Sequence, residues 1–166
     1  MATKDNLKEA FAGESQANRR YLAFAKKADA DGFPHIAKLF RAAAAAETVH
    51  AHAHLRAMRG IDTTEKNLIK AVEGESHEFK SMYPQFLEEA QKENDKSAEI
   101  SFRFALAVEE IHHQLYKEAL KSVQAGKDLP KKKIYVCGVC GNTVYDEAPE
   151  KCPVCNAPKS KFKEID

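Results

Sequence analysis

Glu47-Thr48-Val49-His50 and Glu109-Glu110-Ile111-His112 are the stretches that decide how this chain folds. Residues three apart on an α-helix lie on one face, so each Glu-x-x-His pair aims a carboxylate oxygen and an imidazole nitrogen at one small volume. A lone glutamate on an apolar stripe stands upstream of each, Glu14 at 33 positions before Glu47 and Glu75 at 34 positions before Glu109. The chain is thus written as two helix pairs, each offering Glu and then Glu-x-x-His, which is a recipe for a two-metal carboxylate site. Buried carboxylates without cations or partners take up protons instead of staying charged. A buried ion-pair network is the weaker reading, because these stripes offer few lysines or arginines.

Working outward, apolar residues recur at helical spacing through four segments. Leu7, Phe11, Glu14, Ala17, Tyr21, Phe24 and Ala28 form one face of a first helix, which Asp31-Gly32 ends. Pro34 suits the first turn of a second, whose inner face carries Leu39, Ala43, Glu47, His50 and His54 before Gly60 stops it. Asp62 with Glu65 resembles a capping box for a third helix through Leu68, Val72, Glu75, Phe79 and Met82 towards Ala90, and Pro84 inside it predicts a kink. Asp95 can cap the fourth, whose face includes Ile100, Ala105, Val108, Glu109, His112 and Leu115, and Gly126 ends it. The run Ala42 to Ala46 reads either as close backbone approach beside Glu47 or as plain helix propensity. His35, His52, His77 and His113 fall off the ligand stripes or near helix ends and are expected to be exposed or one contact removed from the metals; His54 is expected in packing or solvent. Tyr21 and Tyr83 lie where a phenol can reach a ligand or a bound oxygen species, with packing as the plainer role.

All four cysteines sit at the far end, in Cys137-Gly138-Val139-Cys140 and Cys152-Pro153-Val154-Cys155. Two tight Cys-x-x-Cys hairpins make a tetrathiolate site suited to iron or zinc. A disulfide framework fits less well, because the cysteines cluster at one end and no secretory segment precedes the first helix. The run Gly126 to Lys133 reads as a linker, and the composition beyond it turns from alanine-rich to β-branched, cysteine and proline. The expected organisation is a helical bundle over 1–126, a linker over 127–133 and a metal-held β module over 134–166.

With 26 basic and 25 acidic side chains, nothing in the charge balance calls for nucleic acid or an anionic membrane. No apolar run approaches the ~20 residues that span a bilayer. Reduced thiolates fit the cytoplasm.

In combination these motifs resemble a rubrerythrin along the whole chain. The matching residues are Gly13-Glu14-Ser15-Gln16-Ala17-Asn18 with Tyr21, Glu47 to His50, Gly74-Glu75-Ser76-His77-Glu78 followed by Met82-Tyr83-Pro84, Glu109 to His112 with Tyr116, and the two cysteine hairpins. The resemblance implies a mainly α protein, a ferritin-like four-helix bundle followed by a rubredoxin-like β module. It further implies a non-haem di-iron peroxidase that reduces hydrogen peroxide to water with electrons entering through the Fe(Cys)4 centre of Cys137, Cys140, Cys152 and Cys155, where zinc is the alternative metal. By similarity, Glu47 and Glu109 would bridge the two irons, Glu14 would be terminal on the first, and Glu75 with His112 terminal on the second. Glu78 would hold the first iron when oxidised and His50 when reduced, and Tyr21 and Tyr83 are carried with them as catalytic candidates. The implied partners are a second copy of the chain and an electron donor such as a rubredoxin or an NAD(P)H-dependent reductase.

Two rivals remain on the sequence. One is a ferroxidase using O₂ at the same site; the other is an interaction protein with a structural zinc ribbon. Reach adds a constraint: in the ferritin-like topology the second and third helices run parallel, so an intramolecular crossover would span on the order of 33 Å. The stretch from Gly60 to Thr64 extends to only about 17 Å. Either the bundle is a simple up-down form, or helix pairs are exchanged in an obligate dimer, which the resemblance favours.

Overall fold

The structure, a computed structural model, describes residues 2–166. The chain divides into two compact units, one ending at Asp62 and one beginning at Thr63. Among the described residues no helix is long and apolar enough to cross a membrane.

The first unit is a helical hairpin, α1 (Ala2–Ala30) and α2 (Pro34–Ala57). Gly32 takes the left-handed conformation at φ +82°, and the Phe33 N–H folds back to the Ala28 carbonyl at 2.8 Å. That is the glycine cap expected at this position. Pro34 follows in the first turn of α2, where its missing N–H costs nothing. The seam is made of alanines: Ala25 and Ala28 meet Ala37 with Phe40 packed against them, while Ala44 and Ala51 are buried further along α2. Of the run Ala42 to Ala46, only Ala44 is fully buried, so one residue makes the close approach and the others supply helix propensity. Asn18 ties the two helices together, donating from Nδ2 to the Ala44 carbonyl at 2.7 Å and to Thr48 Oγ1 at 2.8 Å.

The end of α2 differs from expectation. Arg59 takes the left-handed position at φ 56°, and the Gly60 N–H returns to the Leu55 carbonyl at 2.9 Å. Gly60 is needed for space instead, since a Cβ there would collide with Leu55 Cδ1.

The second unit opens with α3 (Thr64–His77), continues through a π-helical turn (Glu78–Met82) into α4 (Tyr83–Glu93), and returns along α5 (Lys96–Gln124). Thr63, not Asp62, is the N-cap of α3, its hydroxyl accepting from the Lys66 N–H at 3.4 Å. Where Pro84 predicts a kink, a π turn lies just before the proline. Proline lacks an N–H and its ring crowds the carbonyl four residues back, and a wider turn accommodates this without breaking the helix. The Tyr83 N–H bonds to the Glu78 carbonyl, five residues back. Asp95 caps α5 as expected, its carboxylate accepting from the Ser97 and Ala98 N–H groups at 3.0 Å each. Gly126, at φ +69°, ends it.

His113 is a further correction. It is buried, with 7% of its surface exposed, and Nδ1 donates to the Val72 carbonyl at 3.1 Å while the ring lies 5.2 Å from that of Phe79. The α3 backbone approaches α5 here, so the histidine packs inside the hairpin.

Beyond α5 a small antiparallel sheet forms in the order β2-β1-β3, from β1 (Ile134–Cys137), β2 (Thr143–Tyr145) and β3 (Phe162–Ile165). It packs on α5 within this unit: Gly141, at φ +87°, lies so that a Cβ would sit 3.6 Å from Val108 Cγ1.

Candidate metal centres

Each helical hairpin gathers one carboxylate and one Glu-x-x-His pair. In the first unit Glu14, Glu47 and His50 bring one ligand atom each within 4.8 Å of one another. His50 Nδ1 lies 3.0 Å from Glu47 Oε2 and 3.9 Å from Glu14 Oε1. A hydrogen bond between the two carboxyls raises Glu14 above the ordinary carboxylate range and, with a second bond from His50, lowers Glu47. Opposite shifts of this kind are expected of neighbouring carboxyls, where a like charge disfavours ionisation of one partner.

In the second unit Glu75, Glu109 and His112 converge within the same limit. His112 Nδ1 lies 2.8 Å from Glu109 Oε2. Burial, the charge of Glu109, a hydrogen bond with it and the charge of Glu78 together push Glu75 up to about 7. Glu78 is raised by burial and by Glu109. Glu75, Glu109 and His112 could hold a metal ion, whose positive charge would offset the repulsion between carboxylates.

The tyrosines separate. Tyr83 is raised by burial and by the charges of Glu78, Glu109 and Glu75, which places its phenol in the field of all three carboxylates. The π turn explains how. Five residues advance ~500° around an α-helix, well off the starting face, whereas an i→i+5 turn stacks the fifth residue nearly above the first. Tyr21 packs among rings, its centroid 6.4 Å from Phe24 and 6.2 Å from Phe40.

The four cysteines are free thiols whose sulfurs also meet within 4.8 Å. Cys137 and Cys155 are 3.7 Å apart, and Cys140 and Cys152 are 3.5 Å apart. A tetrahedral metal with M–S bonds of ~2.3 Å demands sulfur separations of about 3.8 Å, so the knot needs little adjustment. Burial alone would raise Cys152, but the Cys155 and Val154 amides and the Cys140 and Cys155 thiols bring it down to about 7. Burial raises Cys140 and Cys155, each against a backbone amide, from Asn142 and Ala157 respectively.

Two contributors carry no mark in the sequence. Asn142 is 1% exposed and donates from Nδ2 to Cys152 Sγ at 3.7 Å. Thr143 Oγ1 lies 3.0 Å from His112 Nε2 and donates to the Gly141 carbonyl at 3.1 Å. The histidine of one half-site is thereby joined to the cysteine module, 31 residues on.

Comparison with known proteins agrees with this geometry. The family profile described as Rubrerythrin matches residues 5–120, and that described as Rubrerythrin, rubredoxin-like domain matches residues 135–163. Rubrerythrin-2 of Clostridium acetobutylicum is 38% identical over 97% of this chain and 95% of its own. Nigerythrin of Nitratidesulfovibrio vulgaris is 35% identical over 97% of this chain and 85% of its own. The solved structure of nigerythrin in a mixed-valence state aligns with a TM-score of 0.58 at 35% identity, covering 98% of this chain and 86% of that one. A di-iron carboxylate pair and an iron held by four cysteines are the metal groups of such proteins, and the hard oxygen and imidazole donors and the four soft thiols found here fit them. With a helical ligand scaffold, a cysteine module and sequence agreement from end to end, this chain belongs to the rubrerythrin family and is a di-iron oxidoreductase.

Proposed function

We propose that the protein is a non-haem di-iron peroxidase that protects against oxidative stress, reducing hydrogen peroxide to two waters with two electrons and two protons. The observation that carries this reading is Glu78, a carboxyl beyond the Glu-Glu-His set of its unit, held by the π turn close enough to Glu109 to be raised by its charge. Simple iron storage or oxidation has no use for that extra ligand. A site that exchanges ligands between oxidation states would, with Glu78 as the ligand for ferric iron and His50 for ferrous iron.

The complete site in this reading takes Glu14, Glu47 and His50 from one chain and Glu75, Glu78, Glu109 and His112 from its partner in a homodimer. Glu47 and Glu109 would be the carboxylates shared between the two metals. Two irons held by these residues would supply the two electrons that cleavage of an O–O bond takes, and an iron held by Cys137, Cys140, Cys152 and Cys155 would supply single-electron transfer. Tyr83, raised by burial and then by the carboxylates around it, presents its phenol O–H as a donor beside the site. Tyr21 supports the aromatic packing of its hairpin. Bundle over 1–126, linker over 127–133 and rubredoxin-like module over 134–166 are the working parts. A cytoplasmic rubredoxin or an NAD(P)H-dependent reductase would recharge the cysteine site.

Rapid mixing of the fully reduced protein with peroxide and, separately, with air-saturated buffer tests this. Peroxide should oxidise the di-iron site much faster than O₂. Faster oxidation by O₂ would make the protein a ferroxidase.

A further inference from the structure

The two ligand histidines are held in different ways. His50 Nδ1 faces Glu47 and Glu14, and its side chain is 56% exposed. His112 is 28% exposed and engaged at both nitrogens, Nδ1 facing Glu109 Oε2 at 2.8 Å and Nε2 facing Thr143 Oγ1 at 3.0 Å. Thr143 opens β2, the strand that follows the first cysteine hairpin.

The hydrogen-bond accounting fixes the direction. The Thr143 hydroxyl spends its proton on the Gly141 carbonyl at 3.1 Å, which leaves its lone pairs for His112. An imidazole that ligates through Nδ1 carries its proton on Nε2 and needs an acceptor there. Thr143 Oγ1 is that acceptor. From Cys140 the covalent path runs to the Gly141 carbonyl, and two hydrogen bonds then reach the ligand ring. Gly141 permits this turn: its positive φ redirects the backbone after Cys140, and an added Cβ would come to 3.6 Å from Val108 Cγ1 of α5.

We infer that Thr143 is a positioning residue, which locks the His112 ring with Nδ1 towards the metal and couples the cysteine centre to the ligand set of its own chain. The Thr143–His112 contact is the rigid end of the site, in contrast to the mobile exchange proposed for His50 and Glu78. The kinetic part of this inference rests on the peroxidase reading; the structural part does not.

The test compares wild type with Thr143→Val, which keeps the branched shape without the hydroxyl, and Thr143→Ser, which keeps the hydroxyl. In the full-length, zinc-loaded protein, whose metals are diamagnetic, NMR of ¹⁵N-labelled histidine should show a His112 Nε2–H protected from solvent exchange in wild type and Thr143→Ser and unprotected in Thr143→Val. In the iron protein, fully reduced and given one equivalent of peroxide, the red ferric tetracysteinyl colour appears as that centre passes its electron on. Its rate should fall about tenfold in Thr143→Val and recover in Thr143→Ser. Equal protection in Thr143→Val and wild type, or an unchanged rate of colour development, overturns the inference. Wild-type iron protein that peroxide fails to oxidise would instead sink the peroxidase reading, while the exchange measurement would still stand.

Discussion

Lengthening the connection between α2 and α3 should convert the proposed exchanged dimer into a monomer, and the element boundaries set how much length is needed. Ten residues separate Glu47 from the end of α2 at Ala57, and eleven separate the start of α3 at Thr64 from Glu75. At 1.5 Å per residue those arms are about 15 Å and 17 Å. With α2 and α3 parallel and their ligands level, as the proposed site requires, the chain between them must cross about 32 Å. The Gly60 N–H is folded back onto Leu55, so free extension begins only at Gly60, and four steps to Thr64 yield roughly 14 Å. A single chain falls short by more than half, and exchange of hairpins between two chains removes the need for the crossing. Inserting about 15 Gly/Ser residues after Gly60 extends the maximum reach to roughly 60 Å, with an average span near 25 Å. Closure within one chain then proceeds at a local concentration on the order of millimolar, far above micromolar protein. Sedimentation equilibrium with iron analysis reads the result: wild type dimeric, the insertion variant largely monomeric, both with a full di-iron complement. A wild-type monomer that retains both irons refutes the exchange, and so does an insertion variant that stays wholly dimeric at micromolar concentration.

Glu78→Ala should keep its helical circular dichroism and bind metal, yet lose about tenfold or more in peroxide turnover, because the proposed ligand for ferric iron is gone; unchanged turnover in steady-state assays removes Glu78 from the mechanism. Cys155→Ser should leave the helices folded and abolish the red colour and the multiple-turnover reaction, while a single turnover at the di-iron site persists in stopped-flow traces. The metal-free protein should become less stable as pH rises. Glu75 has a folded value of about 7 against 4.5 ordinarily, so the folded state holds a proton that the unfolded state releases, and that stabilisation is present below 4.5 and lost on rising through 7. Because Glu75 is only half-buried, solvent screening reduces the effect to roughly 1 kcal/mol, or about 2–4 °C in Tm. Melting curves of metal-free wild type and Glu75→Gln at pH 5 and pH 8 check it: the wild type should lose more on going to pH 8 than the variant. Equal losses would show that Glu75 does not carry the dependence.

The donors could be read from the sequence and their supports could not, and the reason is chemical. Metal ligands must be Glu, His or Cys, and three-residue spacing on a helix is a local fact, so Glu47 with His50, Glu109 with His112 and the two cysteine hairpins stand out before any fold is known. Glycine at a left-handed cap and aspartate before a helix are local in the same way, which is why Gly32, Gly126 and Asp95 sit where the sequence places them. Where two local candidates compete, local reasoning loses its grip: Thr63 caps in place of Asp62, and Arg59 takes the strained φ beside a glycine retained for space. Thr143, Asn142 and His113 belong to a different class. A hydroxyl, an amide or an off-stripe imidazole is chemically generic, and its role depends on a partner 31, 10 or 41 residues away. The π turn joins the two classes. A proline in a helix announces a disturbance but not its form; a break would have thrown Tyr83 off the ligand face, whereas one widened turn keeps the helix continuous and returns Tyr83 to the side that Glu78 occupies. The strain that proline introduces is thus absorbed at the residues that build the additional carboxylate and its phenol neighbour, so the peroxide chemistry proposed here depends on Pro84 as well as on the ligands themselves.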